Sequence, residues 1–250
     1  MAKLLLNSDL GESFGLWTIS DETQIMPYID QANLACGFHA GDFTSMATSV
    51  ALAVEHNIAI GAHPGYPDLQ GFGRRHMQFS PREVKHLMLY QMGALEAFCQ
   101  AKGTRIAYVK PHGALYNAIA DDEALMQAAM EACARFREGL PLMTLARTDT
   151  SKVRSLAAKI GVPVLFEAFA DRRYLANGNL SPRQQAGSVL TDIEAIKRQV
   201  LAIATAQPLT CLDGERITLH ADSLCVHGDN PEAIAVVKQL RQLLDGLLCN

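Results

Sequence analysis

Short apolar runs rich in branched residues alternate with longer amphipathic stretches, and this rhythm constrains the fold more than any other feature of the chain. Such alternation is typical of repeated β-α units and predicts an α/β fold with a parallel sheet. The predicted strands are Lys3–Asn7, Ala32–Cys36, Ile58–Ala62, Ile106–Lys110, Leu140–Leu145, Val162–Glu167 and Leu224–His227. Strands and helices in this order can close into a distorted barrel or stay open as a doubly wound sheet, and the rhythm alone leaves both possible.

Local signals mark the ends of the intervening helices. Ser80, Pro81 and Glu83 form a cap, a first-turn proline and a capping-box residue ahead of Val84–Lys102, and Gly103 follows as a stop. Weaker start and stop signals predict further helices over residues 44–56, 122–137, 149–159, 192–205 and 231–247.

One segment breaks the alternation of strand and helix. Asp213 and Gly214 lie between apolar runs in Leu209–His220, which predicts a hairpin inserted before the last strand. No linker, low-complexity tract or internal repeat divides the chain. Residues 1–250 are therefore expected to form a single β/α domain.

Composition and charge limit the binding partners and the cellular location that we expect. The chain is 49% hydrophobic with a net charge of −4 and has no basic stripe, so we expect an ordinary globular protein that does not bind nucleic acid. No run of 18 apolar residues is present, and Met1–Leu6 is too short for a signal-peptide core, so no membrane association is expected. Cysteines without any CxxC pair indicate reduced thiols and a cytoplasmic location.

Polar side chains gather just after the predicted strands. In chain order they are Asn7, Asp9, Glu12, Asn33, His39, Asp42, His63, Lys110, His112, Asn117, Glu167, Asp171, Arg172, His227, Asp229 and Asn230. Each one alone has a structural explanation as a cap, a turn former or an exposed loop residue. Because the carboxyl ends of parallel strands share one face, and four of the eight histidines lie there close to Gly or Pro, the set favours a functional site.

Several common nucleotide and nucleophile motifs are absent. The sequence has no GxxxxGK[ST] loop, no GxGxxG fingerprint and no GxSxG elbow, so a nucleotide, if bound, is held in another way. Cys36 near His39 has the composition of a thiol nucleophile and its base, but a small apolar cysteine in a strand is more often buried packing.

The polar strand ends lie within longer motifs: LNSDLGESFG at 6–15, NLACGFHAGD at 33–42, GAHPGYPDLQGFGRR at 61–75, VKPHGALYN at 109–117, FEAFADRRYLANGNLSPR at 166–183 and LCVHGDNPEA at 224–233. In this order they resemble the family of 5-oxoprolinase A-subunits, also called LamB/YcsF. The resemblance implies a seven-stranded distorted β/α barrel similar to the glycoside hydrolase/deacetylase superfamily. It also implies ATP-dependent hydrolysis of 5-oxoproline to glutamate, with separate subunits B and C as partners and ATP as co-substrate.

Combining the resemblance with the strand ends suggests roles for the residues. A base is needed to activate water, a histidine pKa near ~6.5 suits proton transfer, and cations stabilise an oxyanion, a phosphate or a carboxylate. The expected catalytic residues are Asp9, His39, His63, Lys110 and His112. The expected substrate- or phosphate-binding residues are Asn7, Glu12, Asn33, Asp42, Glu167, Asp171, Arg172 and His227.

Two other functions remain open at this point. Asp9, His39 and His63 have the residue types of a Zn²⁺ site, which would make the chain a stand-alone metal-dependent amidohydrolase or deacetylase. The absence of a closely spaced HxxxH pair weighs against that alternative. The chain could also be a binding or regulatory subunit without chemistry of its own, and the sequence does not indicate which subunit binds ATP.

Overall fold

Seven parallel strands close into a barrel, which decides between the two arrangements that the sequence rhythm left open. The computed structural model describes residues 3–19, 21–226 and 231–248. The barrel strands are β1 (Leu5–Leu10), β2 (Gln31–Ala35), β3 (Ala59–His63), β4 (Tyr108–Val109), β5 (Leu142–Leu145), β6 (Val164–Phe169) and β9 (Ser223–Cys225). The predicted seven-stranded β/α barrel is confirmed, and each predicted strand overlaps an observed one.

The last strand closes the barrel by pairing with both the first and the sixth. Ser223 of β9 aligns with Leu5 of β1 on one side and with Glu167 of β6 on the other. The predicted hairpin is also present, since β7 (Leu209–Thr210) pairs antiparallel with β8 (Arg216–Ile217) outside the barrel. The predicted end of the last strand, at His227, lies outside the described residues.

Helices surround the barrel. They are α1 (Glu22–Ile25), α2 (Phe43–Glu55), α3 (Pro81–Ala101), α4 (Gly113–Asp121), α5 (Glu123–Phe136), α6 (Ser151–Ile160), α7 (Ile193–Ala204) and α8 (Pro231–Leu248). The capping box predicted for α3 is present, with Ser80 and Glu83 each accepting from the other's backbone N–H. Over the described ranges, no helix combines the length and the apolar character needed to cross a membrane.

Two helices were not predicted from the sequence. Helix α1 has only one turn, and α4 begins at Gly113, close to Pro111, and a proline and a glycine so near each other are typical of a loop. His112 stands at the N-cap of α4 without a side-chain cap bond, so the usual start signal is missing.

The barrel interior contains a chain of buried polar side chains, whereas the apolar core lies between the strands and the helices. Ser223 Oγ donates to Gln31 Oε1 at 2.7 Å, and Asn7 Nδ2 donates to Ser223 Oγ at 2.7 Å. Asn33 Nδ2 donates to Asn7 Oδ1 at 2.7 Å, and the Tyr108 hydroxyl donates to Asn33 Oδ1 at 2.6 Å. Each of these contacts joins residues of different strands, so the hydrogen bonds tie the strands together from within.

Gly61 allows β3 to pass the ring of Tyr108. A Cβ at position 61 would lie 2.3 Å from two ring carbons of Tyr108, which the strand pairing holds directly opposite. We expect Gly61→Ala to lower the free energy of unfolding by roughly 1–3 kcal/mol, because the ring must shift and its hydrogen bond to Asn33 must strain. Denaturant unfolding measures this loss.

Gly93→Ala is the matched control for this prediction. Gly93 lies on the exposed face of α3 with open space around its Cα, so alanine should raise the free energy of unfolding by about 0.5–1 kcal/mol. Equal stability of the Gly61→Ala protein and the parent would contradict the packing described.

Candidate active site at the carboxyl mouth of the barrel

The strand ends bring most of the predicted site residues together. Those that meet at the carboxyl end of the barrel are Asn7, Asp9, Glu12, Asn33, His39, His63, Lys110, His112 and Glu167. All of them are buried except Asp9, whose side chain is 19% exposed. Such a concentration of ionisable groups away from water is costly unless each group has a partner or a ligand.

Lys110 is the buried cation of this cluster. Its Nζ lies 2.7 Å from Asp9 Oδ1 and 2.7 Å from Glu167 Oε1, and 5.6 Å from the centre of the Phe169 ring. Burial acts to lower the pKa of Lys110, but the charges of Asp9 and Glu167 outweigh it and raise the pKa well above its usual value. The ammonium is therefore charged at neutral pH.

Asp9 is ionised for the same reason. Burial acts to raise the pKa of its carboxyl, yet His63 and Lys110 together lower that pKa well below its usual value. Its second oxygen, Oδ2, lies 3.3 Å from His63 Nε2. Asp9 thus contacts a cation through one oxygen and an imidazole through the other.

Two backbone carbonyls fix the tautomers of His63 and His112. His63 Nδ1 lies 2.6 Å from the Lys110 carbonyl oxygen, and His112 Nε2 lies 2.9 Å from the Phe72 carbonyl oxygen. A carbonyl only accepts, so both nitrogens carry hydrogen. The remaining nitrogens, His63 Nε2 and His112 Nδ1, face each other at 3.0 Å. In the neutral rings both of these nitrogens present lone pairs, so the pair can accept one proton or one metal ion.

His39 and Glu12 complete this part of the site. The His39 ring stacks on the His112 ring with centroids 3.7 Å apart, and Glu12 Oε1 lies 3.4 Å from His39 Nε2. Burial lowers the pKa of His39 and of His112 well below 6.5, and burial raises the pKa of Glu12. The expected histidine pKa near 6.5 therefore does not hold for His39 and His112, which are neutral at pH 7.

This cluster fits a divalent metal ion. Ligand atoms of Glu12, His39, His63 and His112 lie within 4.8 Å of one another. Within the described residues, both ring nitrogens of His39 and Glu12 Oε1 are buried without a hydrogen-bond partner. Carbonyls that orient two of the imidazoles are also the usual second contacts of metal-binding histidines. Asp9, an expected ligand, is instead engaged with Lys110, and Glu12 and His112 offer the additional ligand atoms.

Glycines in the 61–75 motif make room for the imidazoles. A Cβ at Gly65 would lie 2.5 Å from His39 Nδ1, and a Cβ at Gly73 would lie 2.7 Å from the His39 Cβ and 2.9 Å from His112 Cδ2. Gly73 also has a φ of +63°, which favours glycine. These glycines therefore serve the site by letting the loop pack directly on the histidines.

A cavity of about 500 Å³ opens beside the cluster. Asp9, His63, Lys110 and His112 form part of its wall. Other side chains come from the surrounding loops and from α4; they include Arg74, Tyr116, Asn117, Arg147, Arg172, Asn179, Ser181 and Arg183. The sequence indicated Asn117 and Arg172 but not the other three arginines. Arg74 and Arg183 lie in the motifs at 61–75 and 166–183, which could have identified them, whereas Arg147 lies in none of the motifs.

Two predicted binding residues, Asp42 and Asp171, lie away from the cluster, and a third, His227, falls outside the described residues. The Asp42 carboxylate caps α2 by accepting from Thr44 N and Ser45 N, and it also accepts from Gly15 N. Asp171 is half-buried next to Arg172. His227, with Asp229 and Asn230, falls outside the described residues.

Cys36 does not have the properties of a nucleophile. Its thiol is buried and contacts the Leu34 carbonyl oxygen at 3.3 Å. Burial raises the pKa of Cys36 to about 12, so the thiolate is scarce at neutral pH. The packing explanation from the sequence agrees with this environment.

The fold and the site together define a β/α-barrel enzyme whose ionisable groups lie at the carboxyl ends of the strands. The chain belongs to the LamB/YcsF family, whose sequence profile matches residues 4–247. The family resemblance drawn from the motifs is thereby confirmed.

Named relatives match over nearly their full length. The chain is 55% identical to the 5-oxoprolinase A-subunit numbered 3 of Pseudomonas aeruginosa, covering 98% of each chain. It is 53% identical to the 5-oxoprolinase A-subunit of Chromohalobacter salexigens, covering 97% of each chain. The crystal structure of a lactam utilization protein from Thermus thermophilus superposes with a TM-score of 0.90 at 42% identity, covering 98% of this chain and 97% of that one.

The orphaned ligand atoms predict binding of a divalent cation. We expect Zn²⁺ added to chelator-treated protein, at about 100 times its dissociation constant, to stabilise the fold by ~2.7 kcal/mol in thermal or denaturant unfolding. His112→Asn should abolish most of this gain, because it removes one ligand nitrogen. His86→Asn, on the exposed face of α3, should keep the full gain. A gain of the same size in the His112→Asn protein would contradict the assignment.

Proposed function

We propose that this chain is the A-subunit of an ATP-dependent 5-oxoprolinase, which opens the lactam ring of 5-oxoproline to glutamate together with subunits B and C. The relatives named as 5-oxoprolinase A-subunits support the substrate and the existence of other subunits. The observation that carries the chemistry is the meeting of Asp9, His63 and Lys110 on the wall of one cavity.

The reaction requires activation of a stable amide. Transfer of a phosphoryl group from ATP to the lactam oxygen makes the ring carbon electrophilic. Water then adds to that carbon while a base takes its proton, and the carbon–nitrogen bond breaks as the nitrogen receives a proton. The product is an acyl phosphate, and its hydrolysis gives glutamate and inorganic phosphate. A site for these steps needs one group that takes a proton, one that returns it and a cation near the oxygen.

Asp9 and His63 form the proton-transfer pair of this proposal. Asp9 is ionised and 19% exposed, which allows its carboxylate to reach water or substrate in the cavity. The His63 ring is oriented by the Lys110 carbonyl, so its Nε2 points at Asp9. A proton taken from water by Asp9 can pass to His63 and from there to the leaving nitrogen.

Lys110 supplies the cation, and its two carboxylate partners hold it in place. Its ammonium is buried yet lines the same cavity as Asp9. A fixed charge in a site that excludes water stabilises a developing oxyanion more strongly than the same charge in solvent. Glu167, which is fully buried on the other side of Lys110, acts through Lys110 by keeping it charged and oriented.

The proposal also covers location and co-substrate. ATP is the co-substrate of the assembled enzyme, and the proposal leaves its binding site to any of the subunits. A cytoplasmic location is supported by the free cysteines among the described residues, which are all buried and unpaired.

Asp9→Asn in the reconstituted three-subunit enzyme tests the proposal. Asparagine keeps the size of the side chain but cannot take a proton, so we expect turnover of 5-oxoproline to fall by roughly 10²–10⁴-fold. Asp149→Asn is the matched control, since Asp149 is exposed beyond β5 and should leave turnover unchanged. Turnover that survives Asp9→Asn would remove Asp9 from the mechanism.

A second candidate is a metal-dependent amidohydrolase that acts without partners. The group formed by Glu12, His39, His63 and His112 favours it, because this donor set suits Zn²⁺. A bound divalent ion would activate water and polarise an amide carbonyl. Hydrolysis of 5-oxoproline or an N-acyl substrate by the purified chain without ATP would support this candidate.

A further inference from the structure

The cavity wall contains several arginines that have no role in the proton transfer proposed for Asp9 and His63. Five cationic side chains line the cavity: Arg74, Lys110, Arg147, Arg172 and Arg183. Among the described residues, the carboxylates that line it are Asp9 and Asp121. Asp9 is paired with Lys110, and Asp121 is paired with Arg147. Among the described residues, cationic side chains therefore outnumber carboxylates in the cavity wall, although Glu12 interacts with Arg74 and Asp171 with Arg172 from behind it.

Arg172 is the buried arginine of the cavity wall. It is only 8% exposed, and its Nη2 donates to the Ser181 carbonyl oxygen at 2.6 Å. Its Nε is buried and has no hydrogen-bond partner among the described residues. Burial lowers the pKa of Arg172, and the charge of Arg183 lowers it further, while Asp171 offsets part of the effect. A buried guanidinium with an unused N–H is costly unless a ligand accepts from it.

The start of α4 adds to the attraction for an anion. Gly113 and Ala114, in its first turn, line the same cavity as Arg172. The helix has nine residues, and its N-cap residue, His112, makes no side-chain cap bond. Backbone N–H groups and the helix dipole favour negative charge at such an end.

We propose that Arg172, together with Arg74, Arg183 and the start of α4, forms a subsite for a phosphoryl group. The phosphorylated lactam is then a tighter ligand of this chain than the unmodified lactam. This inference rests on the proposed function, which requires a phosphorylated intermediate. A lactam carboxylate carries a single charge that one guanidinium satisfies, whereas a phosphoryl group offers two charges and three oxygens to several donors.

Calorimetry on the full chain, with inorganic phosphate and 5-oxoproline as separate probes, tests the subsite. We expect the parent protein to bind phosphate, and Arg172→Gln to weaken that binding by at least about tenfold through loss of charged hydrogen bonds. Binding of 5-oxoproline should change by less than about threefold, which is below one such bond. Arg183→Gln, at an exposed position, should weaken phosphate binding in the same direction and guards against misfolding of the buried variant.

Arg82→Gln is the matched control, because Arg82 is exposed on α3 away from the cavity, and it should leave both affinities unchanged. Loss of 5-oxoproline binding with phosphate binding intact in Arg172→Gln would assign Arg172 to the carboxylate and overturn the proposal. Absence of phosphate binding by the parent protein would overturn it as well. Turnover by the parent three-subunit enzyme is measured in parallel, so that failure of the subsite is distinguished from failure of the proposed function.

Discussion

The ammonium of Lys110, held between Asp9 and Glu167, is the interaction on which the rest of the site depends. The three residues come from or directly follow β4, β1 and β6, so the two contacts of 2.7 Å span the barrel interior. The cation between them offsets the cost of burying two carboxyl groups. The backbone carbonyl of Lys110 also orients His63, which in turn faces Asp9 and His112. One residue therefore contacts both carboxyl groups and sets the direction of the first imidazole.

Satisfied and unsatisfied polar groups are separated along the barrel. In the barrel interior, Gln31, Ser223, Asn7, Asn33 and Tyr108 form a continuous series of hydrogen bonds. At the mouth, several buried atoms have no hydrogen-bond partner among the described residues; they belong to Glu12, His39, Tyr116, Arg147, Glu167 and Arg172. Glu167 still contacts the Lys110 ammonium and Arg147 contacts Asp121, whereas the atoms of Glu12, His39 and Arg172 are placed to bind a ligand. A folded protein retains such groups where binding repays their desolvation.

Much of the fold and part of the site could be predicted from the sequence. Hydrophobic rhythm located the strands, and the capping box at Ser80 located α3, because both are local signals. Closure of the barrel depends on the pairing of Ser223 with two distant strands, and the rhythm carries no information on it. Helix α4 was missed because Pro111 and Gly113 are typical of a loop. The position of Asp9 and His63 after predicted strands indicated that they are neighbours, and they are in contact. The same criterion also selected Asp42, whose carboxylate instead caps a helix.

A double-mutant cycle on Lys110 and Glu167, read as the free energy of unfolding, tests the central role of the buried charge pair. Lys110→Met leaves two carboxylates without their cation, so we predict a loss of about 3–5 kcal/mol. Glu167→Gln added to Lys110→Met should recover part of that loss, because it removes one of the uncompensated charges. A loss below about 1 kcal/mol for Lys110→Met, with the two substitutions strictly additive, would contradict the account.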